Sequence, residues 1–196
     1  MTEHIKDKRT VFGIRDLVFM AAGAAITAVC SWISIPSAVP FTLQTFAVFC
    51  ILGMLGGRRG TVSLIVYILL GMVGVPVFSG FKGGIGVIIG TTGGYIVGFI
   101  FMGLIYWLAQ IIFKDRLLSQ RPTFKNITLQ AAVLLAGLLV CYAFGTAWFV
   151  VAYAAQSGTI GFAAALLKCV VPFIIPDLIK MAAALFVTTR LRRFIR

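Results

Sequence analysis

Charged residues are scarce in this sequence. Asp, Glu, Lys and Arg make up 11% of its 196 residues, whereas a soluble domain carries about 25%. Hydrophobic residues make up 61%, too many for a fold whose outer surface meets water. Several apolar runs reach the roughly 20 residues that cross a hydrocarbon core about 30 Å thick. The composition therefore predicts an all-α, polytopic membrane protein that lies in a lipid bilayer.

Metal ligands and nucleophile–base pairs are also missing. The single histidine, His4, lies in a polar N-terminal tail, and Cys30, Cys50, Cys141 and Cys169 are isolated within apolar runs. The glycine-rich run near the middle is not followed by Gly-Lys-Ser/Thr, so it is no phosphate loop. We expect no catalytic residue, no metal and no cofactor, and any ATP hydrolysis must come from partner subunits.

Acidic residues number five against 17 basic ones, which gives a net charge of +12. The basic residues lie between the apolar runs without an interleaved aromatic platform, so we expect no nucleic-acid partner. All but three of them lie in the N-terminal tail, at the C-terminus, or in two connections between apolar runs, near residues 58–59 and 114–125. The positive-inside rule then predicts that both termini are cytoplasmic, which an even number of spans also requires.

Six membrane spans are predicted. They are 14–35, 43–56, 60–79, 91–113, 127–155 and 161–190. We expect one domain, 1–196, with short basic cytoplasmic tails at 1–13 and 191–196. The first apolar run lacks a credible cleavage site, so it is interpreted as a retained helix. No internal repeat is evident, which disfavours transporters built from inverted repeats.

Polar and glycine residues gather on the weakly charged side, which the charge pattern makes the outer side. Gln44 follows a proline-stiffened connection, and it either bonds to a neighbouring loop or contacts a ligand. Gly90, Gly94 and Gly98 recur every four residues, a stripe that serves either helix packing or a ligand. These residues mark the outer side as the candidate functional region.

The last span carries the most specific pattern. Pro172 and Pro176 should interrupt it, with Pro176 opening a new helix and Asp177 near that helix's N-terminus. Asp177 and Lys180 are three residues apart and share a face. A charge within the membrane costs at least about 2.5–3.5 kcal/mol, so both should face the bundle or a wet cavity. The pair either holds helices together or forms a ligand site.

Five short segments carry a family resemblance. They are 40–45 (PFTLQT), 67–71 (YILLG), 74–78 (GVPVF), 92–95 (TGGY) with Gly98 and Phe99, and 172–180 with its Asp-x-x-Lys. Together they are similar to the BioY family, the biotin-specific capture subunits of energy-coupling factor (ECF) transporters. The chain departs from the family pattern at Thr91, usually Pro, and at Pro176, commonly Gly. Both departures affect local backbone rather than a binding group.

The resemblance implies a six-helix subunit of a prokaryotic cell membrane that captures biotin from outside. Its partners would be a transmembrane coupling subunit and two ABC ATPases, whose ATP hydrolysis delivers the ligand inward. Asp177 would accept from a ureido N–H, and Lys180 would donate to the ureido carbonyl or to the carboxylate. The further expected ligand contacts are Gln44, Thr92, Tyr95 and Phe78.

Two features keep alternative interpretations. The small-residue face of the first helix, formed by Ala21, Ala24, Ala25 and Ala28, resembles the motif that docks such subunits, and packing within the chain explains it equally well. Lys82 either binds the biotin carboxylate or is solvated.

The rival functions are a self-sufficient secondary transporter with a proton-relay aspartate and a capture subunit for another vitamin. An intramembrane enzyme is disfavoured because it would need a nucleophile–base pair.

Overall fold

The protein is a bundle of helices with one very short sheet. The structure, a computed structural model, describes residues 12–36, 39–113, 116–117 and 123–195. The helices are α1 (Ile14–Trp32), α2 (Gln44–Met72), α3 (Ile85–Ile89), α4 (Gly93–Phe113), α5 (Phe124–Ser157), α6 (Phe162–Cys169) and α7 (Val171–Ile195). Strands β1 (Ser34–Ile35) and β2 (Phe41–Thr42) pair antiparallel between α1 and α2. The predicted all-α membrane class is confirmed.

Five described helices are long and apolar enough to cross a membrane, against six predicted spans, and α2 accounts for the difference. Gly56 has φ 82° and ψ 175°, a conformation that favours glycine, and it breaks the helix. Gln44 Nε2 lies 2.9 Å from Tyr67 Oη, although 23 residues of straight helix would separate them by about 34 Å. The arms 44–55 and 57–72 therefore form an antiparallel hairpin.

The hairpin turn is packed tightly against α4. A Cβ at Gly57 would overlap the backbone of Trp107. The Gly57 N–H donates to Gln110 Oε1 at 2.7 Å, which satisfies one of the free donors at the start of the second arm. Helices α1, α4 and α7 all pack on this hairpin, so it forms the centre of the bundle.

A buried arginine joins the elements at the end where α7 finishes. Arg192 is buried, and its guanidinium donates to Leu117 O at 2.9 Å, to Gln130 Oε1 at 3.0 Å and to Gly53 O. We call this the basic end, because the described arginines of the α1 start, the hairpin turn and the α7 terminus lie here. Its cytoplasmic location stays a prediction.

The interruption before the last helix lies earlier than predicted. The chain breaks at Val170 (φ −122°, ψ −52°), and α7 already begins at Val171. Pro172 therefore occupies the first turn, where a missing N–H is tolerated, and Pro176 lies inside the helix. Asp177 is about 9 Å into α7 rather than near its N-terminus. Its charge must be met by side chains and not by the helix dipole.

Gly57→Ala is expected to destabilise the protein, because the added methyl group overlaps the Trp107 backbone. Overpacking of this kind costs about 1–3 kcal/mol. Gly161→Ala is the matched control, since Gly161 has φ −67° and a Cβ added there would meet no atom within 4 Å. Thermal unfolding in detergent should show a lower midpoint for Gly57→Ala alone. Equal midpoints for the two variants would contradict the packing argument.

Candidate ligand-binding site

A cavity of about 430 Å³ lies at the end of the bundle opposite the basic end. We call this the cavity end; the connections 39–43, 73–92 and 158–170 contribute to it. Its volume is in the range of small-molecule sites, about 300–1,000 Å³. The six expected ligand contacts all line the cavity: Gln44, Phe78, Thr92, Tyr95, Asp177 and Lys180. The fold thus brings together residues that are as much as 136 positions apart in the sequence.

Asp177 is 2% exposed, and three side chains donate to its carboxylate. Thr45 Oγ1 and Lys180 Nζ each lie 2.8 Å from Oδ1, and Tyr142 Oη lies 2.6 Å from Oδ2. These donors come from α2, α5 and α7. Hydrogen bonds of this kind stabilise a buried carboxylate as an anion. Each carboxylate oxygen can accept two such bonds, so both positions of Oδ1 are occupied and Oδ2 keeps one that is open.

Lys180 is equally well satisfied. Its ammonium donates to Asp177 Oδ1 at 2.8 Å, to the Thr42 carbonyl at 2.7 Å and to Thr45 Oγ1 at 3.1 Å. An ammonium has three N–H donors, so each has a partner within the protein. The pair is therefore a structural link between α7 and the start of α2, and it also lines the cavity. The ligand-binding interpretation of the Asp-x-x-Lys pattern stays a prediction.

Gln44 bonds to the protein through one end of its amide. Its Nε2 donates to Tyr67 Oη, and Tyr67 Oη donates to the Val77 carbonyl at 3.0 Å. Ser31 Oγ donates to the same carbonyl. This network anchors the segment before Phe78 to α1 and α2. Among the described residues none donates to Gln44 Oε1, which leaves an acceptor on a residue that lines the cavity.

Aromatic side chains form much of the apolar wall. Phe78 is buried and meets Tyr67 edge-on, with centroids 5.6 Å apart. Tyr95 shares a 3.0 Å hydrogen bond with Thr146, and the Phe173 ring stacks on Phe41 at 4.0 Å. These rings are held by packing before any ligand arrives, so the cavity offers a preformed apolar surface.

The glycine stripe serves mainly for packing. A Cβ at Gly94 would overlap Trp148, and one at Gly98 would press on Cys141. Both positions therefore allow α4 to approach α5 closely. Gly90 differs, because it lies at the end of α3, accepts a hydrogen bond from Trp148 Nε1 at 3.1 Å and lines the cavity.

The alanine face of α1 is divided between two environments. Ala24 and Ala28 are buried, and they pack with Tyr67 and other residues of the second core cluster. Ala21 and Ala25 are exposed. Two of the four alanines therefore already pack within the chain, and docking by this face stays a prediction.

Three polar neighbours of the Asp177–Lys180 pair were not among the expected contacts: Thr42, Thr45 and Tyr142. The two threonines lie within the segment 40–45 that carries the family resemblance, so a signal for them was present. Tyr142 lies in a largely apolar stretch of α5, and its partner is set by how α5 packs. The described residues hold no group of three metal-ligating side chains.

Comparison with known proteins gives a consistent picture. A model of the BioY family matches residues 2–196. The biotin transporter BioY of Thermotoga maritima is 37% identical over 183 residues, which cover 92% of this chain and 97% of that protein. The probable biotin transporter BioY of Pyrococcus horikoshii is 36% identical over 179 residues, or 91% and 96% of the two chains.

A solved structure also matches. The crystal structure of the S-component for biotin from an ECF-type ABC transporter superposes with a TM-score of 0.75 and 26% sequence identity. The match covers 92% of each chain. Sequence and structure comparisons therefore agree over nearly the whole chain.

Tyr142→Phe is expected to destabilise the unliganded protein by more than Tyr95→Phe does. The first change removes a donor to a buried carboxylate, which contributes about 1.5–3 kcal/mol, whereas the second removes a neutral hydrogen bond of about 0.5–1.5 kcal/mol. Thermal unfolding of both variants in detergent measures the difference. A Tyr142→Phe midpoint no lower than that of Tyr95→Phe would contradict the assigned charge-assisted bond.

Proposed function

The chain belongs to the BioY family, and we propose that its cavity captures biotin as the substrate-binding subunit of an ECF importer. It is a transporter component and not an enzyme, since the family and its relatives are transporters. The cell membrane is its location, since its relatives are biotin transporters and five described helices are long and apolar enough to cross a membrane. The observation that carries the proposal is the Asp177–Lys180 pair at the wall of the cavity.

The ureido group of biotin presents two N–H donors and one carbonyl. Asp177 Oδ2 keeps one acceptor position after Tyr142, and Gln44 Oε1 accepts from none of the described residues. These two oxygens offer acceptors for the two ureido N–H groups, and the Thr92 hydroxyl adds a further polar contact. An analogue without the ureido group would leave buried polar groups unpaired, at about 1–3 kcal/mol for each. The site would reject it on that ground.

Charge supports one orientation of the ligand. A carboxylate placed beside Asp177 would meet a like charge in a region of low dielectric constant. The ureido end therefore lies at the pair, and Lys180 donates to the ureido carbonyl by exchanging its longest bond, the 3.1 Å contact to Thr45 Oγ1. The apolar thiophane ring packs on Phe78 and Tyr95, and the carboxylate points away from the pair.

Transport needs partners that this chain does not supply. We propose that it assembles with a transmembrane coupling subunit and two ABC ATPases, as the resemblance to an ECF-type S-component implies. The exposed residues Ala21 and Ala25 are four apart on α1 and share a face. Small side chains let a partner helix approach closely within a membrane. Docking is therefore assigned to this half of the alanine face.

Asp177→Asn and Lys180→Met are each expected to weaken biotin binding about 10- to 100-fold, which corresponds to one or two hydrogen bonds involving a charge. Titration of the detergent-purified variants measures this, and native mass spectrometry of the unmodified protein should reveal carried biotin. Asp16→Asn is the control, since its 2.9 Å ion pair with Arg59 lies at the basic end. Unchanged affinity in both cavity variants would refute the binding site.

Ala21→Leu and Ala25→Leu are expected to abolish co-purification with the coupling subunit while biotin binding stays intact. The added side chains would hold a partner helix away from α1. Ala183→Leu is the matched control, because Ala183 is an exposed alanine on α7. Retention of the complex by both α1 variants would contradict this docking surface.

Biotin flux in liposomes without ATPases, abolished by dissipating the proton gradient, would favour a secondary transporter instead.

A further inference from the structure

Three charged residues line the cavity: Asp177, Lys180 and Lys82. The first two lie 2.8 Å apart, so their charges offset each other. Lys180 has no N–H left without giving up a protein acceptor. Lys82 is exposed. Among the described residues no carboxylate offsets its charge, and no acceptor bonds to its ammonium. The cavity wall therefore carries one cationic charge that the described protein does not neutralise.

The backbone beneath Lys82 is firmly placed. Phe78 N–H donates to the Lys82 carbonyl at 2.9 Å, which closes a tight turn through Gly80 (φ 71°) and Phe81 (φ 56°). The Phe81 ring stacks on Trp32, with centroids 5.0 Å apart. Trp32 Nε1 in turn donates to the Pro76 carbonyl at 2.8 Å. The turn is thus fixed to α1, and the ammonium of Lys82 is tethered beside the cavity.

We propose that Lys82 binds the carboxylate of the ligand and makes the site selective for an anion over its neutral analogue. This inference rests on the proposed biotin function, because the ureido end must occupy the Asp177–Lys180 pair for the carboxylate to reach Lys82. A carboxylate at this position is attracted by the Lys82 ammonium at the solvent-facing side of the cavity. The same carboxylate at the Asp177–Lys180 pair would gain much less, because Asp177 offsets the attraction of Lys180 there.

The test compares two ligands and three proteins. Biotin and its neutral primary amide are titrated into the unmodified protein, Lys82→Gln and Lys168→Gln, each freed of carried ligand. Lys168 is the matched control, since it is an exposed lysine of α6 that is not part of the cavity wall and lies 5.8 Å from the Tyr153 ring. A double comparison of this kind isolates the interaction between one side chain and one ligand group.

Lys82→Gln is expected to weaken biotin binding about three- to tenfold, as an exposed charge-assisted contact would. It should leave the affinity for the amide unchanged, and Lys168→Gln should alter neither. The preference for biotin over the amide should also shrink at high salt for the unmodified protein, because salt screens exposed charges.

Three outcomes would overturn the inference. Equal losses for biotin and amide in Lys82→Gln would show a role in loop structure only, and no loss for either would show a solvated lysine. If the unmodified protein binds neither compound, the proposed function fails and this inference fails with it. Lys82→Arg should restore the preference for biotin, which a purely steric effect of the glutamine would not predict.

Discussion

The rest of the cavity depends on a carboxylate and an ammonium that lie 2.8 Å apart inside an apolar bundle. Removing two charges from water is costly, and their mutual attraction offsets that cost only when the remaining donors and acceptors are also satisfied. Thr42, Thr45 and Tyr142 supply those partners from three different elements. The pair therefore fixes the relative positions of α7, α5 and the start of α2.

That constraint also defines what the cavity can accept. Asp177 Oδ2 and Gln44 Oε1 keep acceptor positions at the cavity, and in the proposed site these favour a ligand with N–H donors. The aromatic wall demands an apolar body next to those donors. A cyclic urea fused to a hydrophobic ring meets both demands, which is why the geometry and the family agree on biotin as the proposed ligand.

The two ends of the bundle are built in opposite ways. At the basic end, Gly57 lets the hairpin turn touch α4, and Arg192 joins α7 to the hairpin and to α5. At the cavity end, the short helices α3 and α6 lie between the long helices in the chain, and residues of both line the cavity. Space for a ligand is therefore present at one end, where the proposed outward capture requires it. The exposed alanines of α1, where docking is proposed, are not part of the cavity wall.

The sequence by itself determined the membrane class, the segregation of basic residues and six of the residues that line the cavity. Each is a property of composition or of motif, so each could be read without coordinates. It also predicted a pair of spans around residue 56, although the arms are too closely joined to appear as separate helices.

Tertiary structure alone decided the roles of individual residues. Spacing placed Asp177 and Lys180 on one face, but only the packing of α5 and α2 supplied Tyr142 and Thr45 as partners. The alanine face was divided because the hairpin covers Ala24 and Ala28 and leaves Ala21 and Ala25 exposed. Helix α7 begins at Val171 and not at Pro176 as predicted. A proline is tolerated in the first turn of a helix because its missing N–H is not needed there, and the sequence does not indicate which of the two prolines occupies that turn. Such outcomes depend on contacts between residues far apart in the chain, which periodicity and motif do not encode.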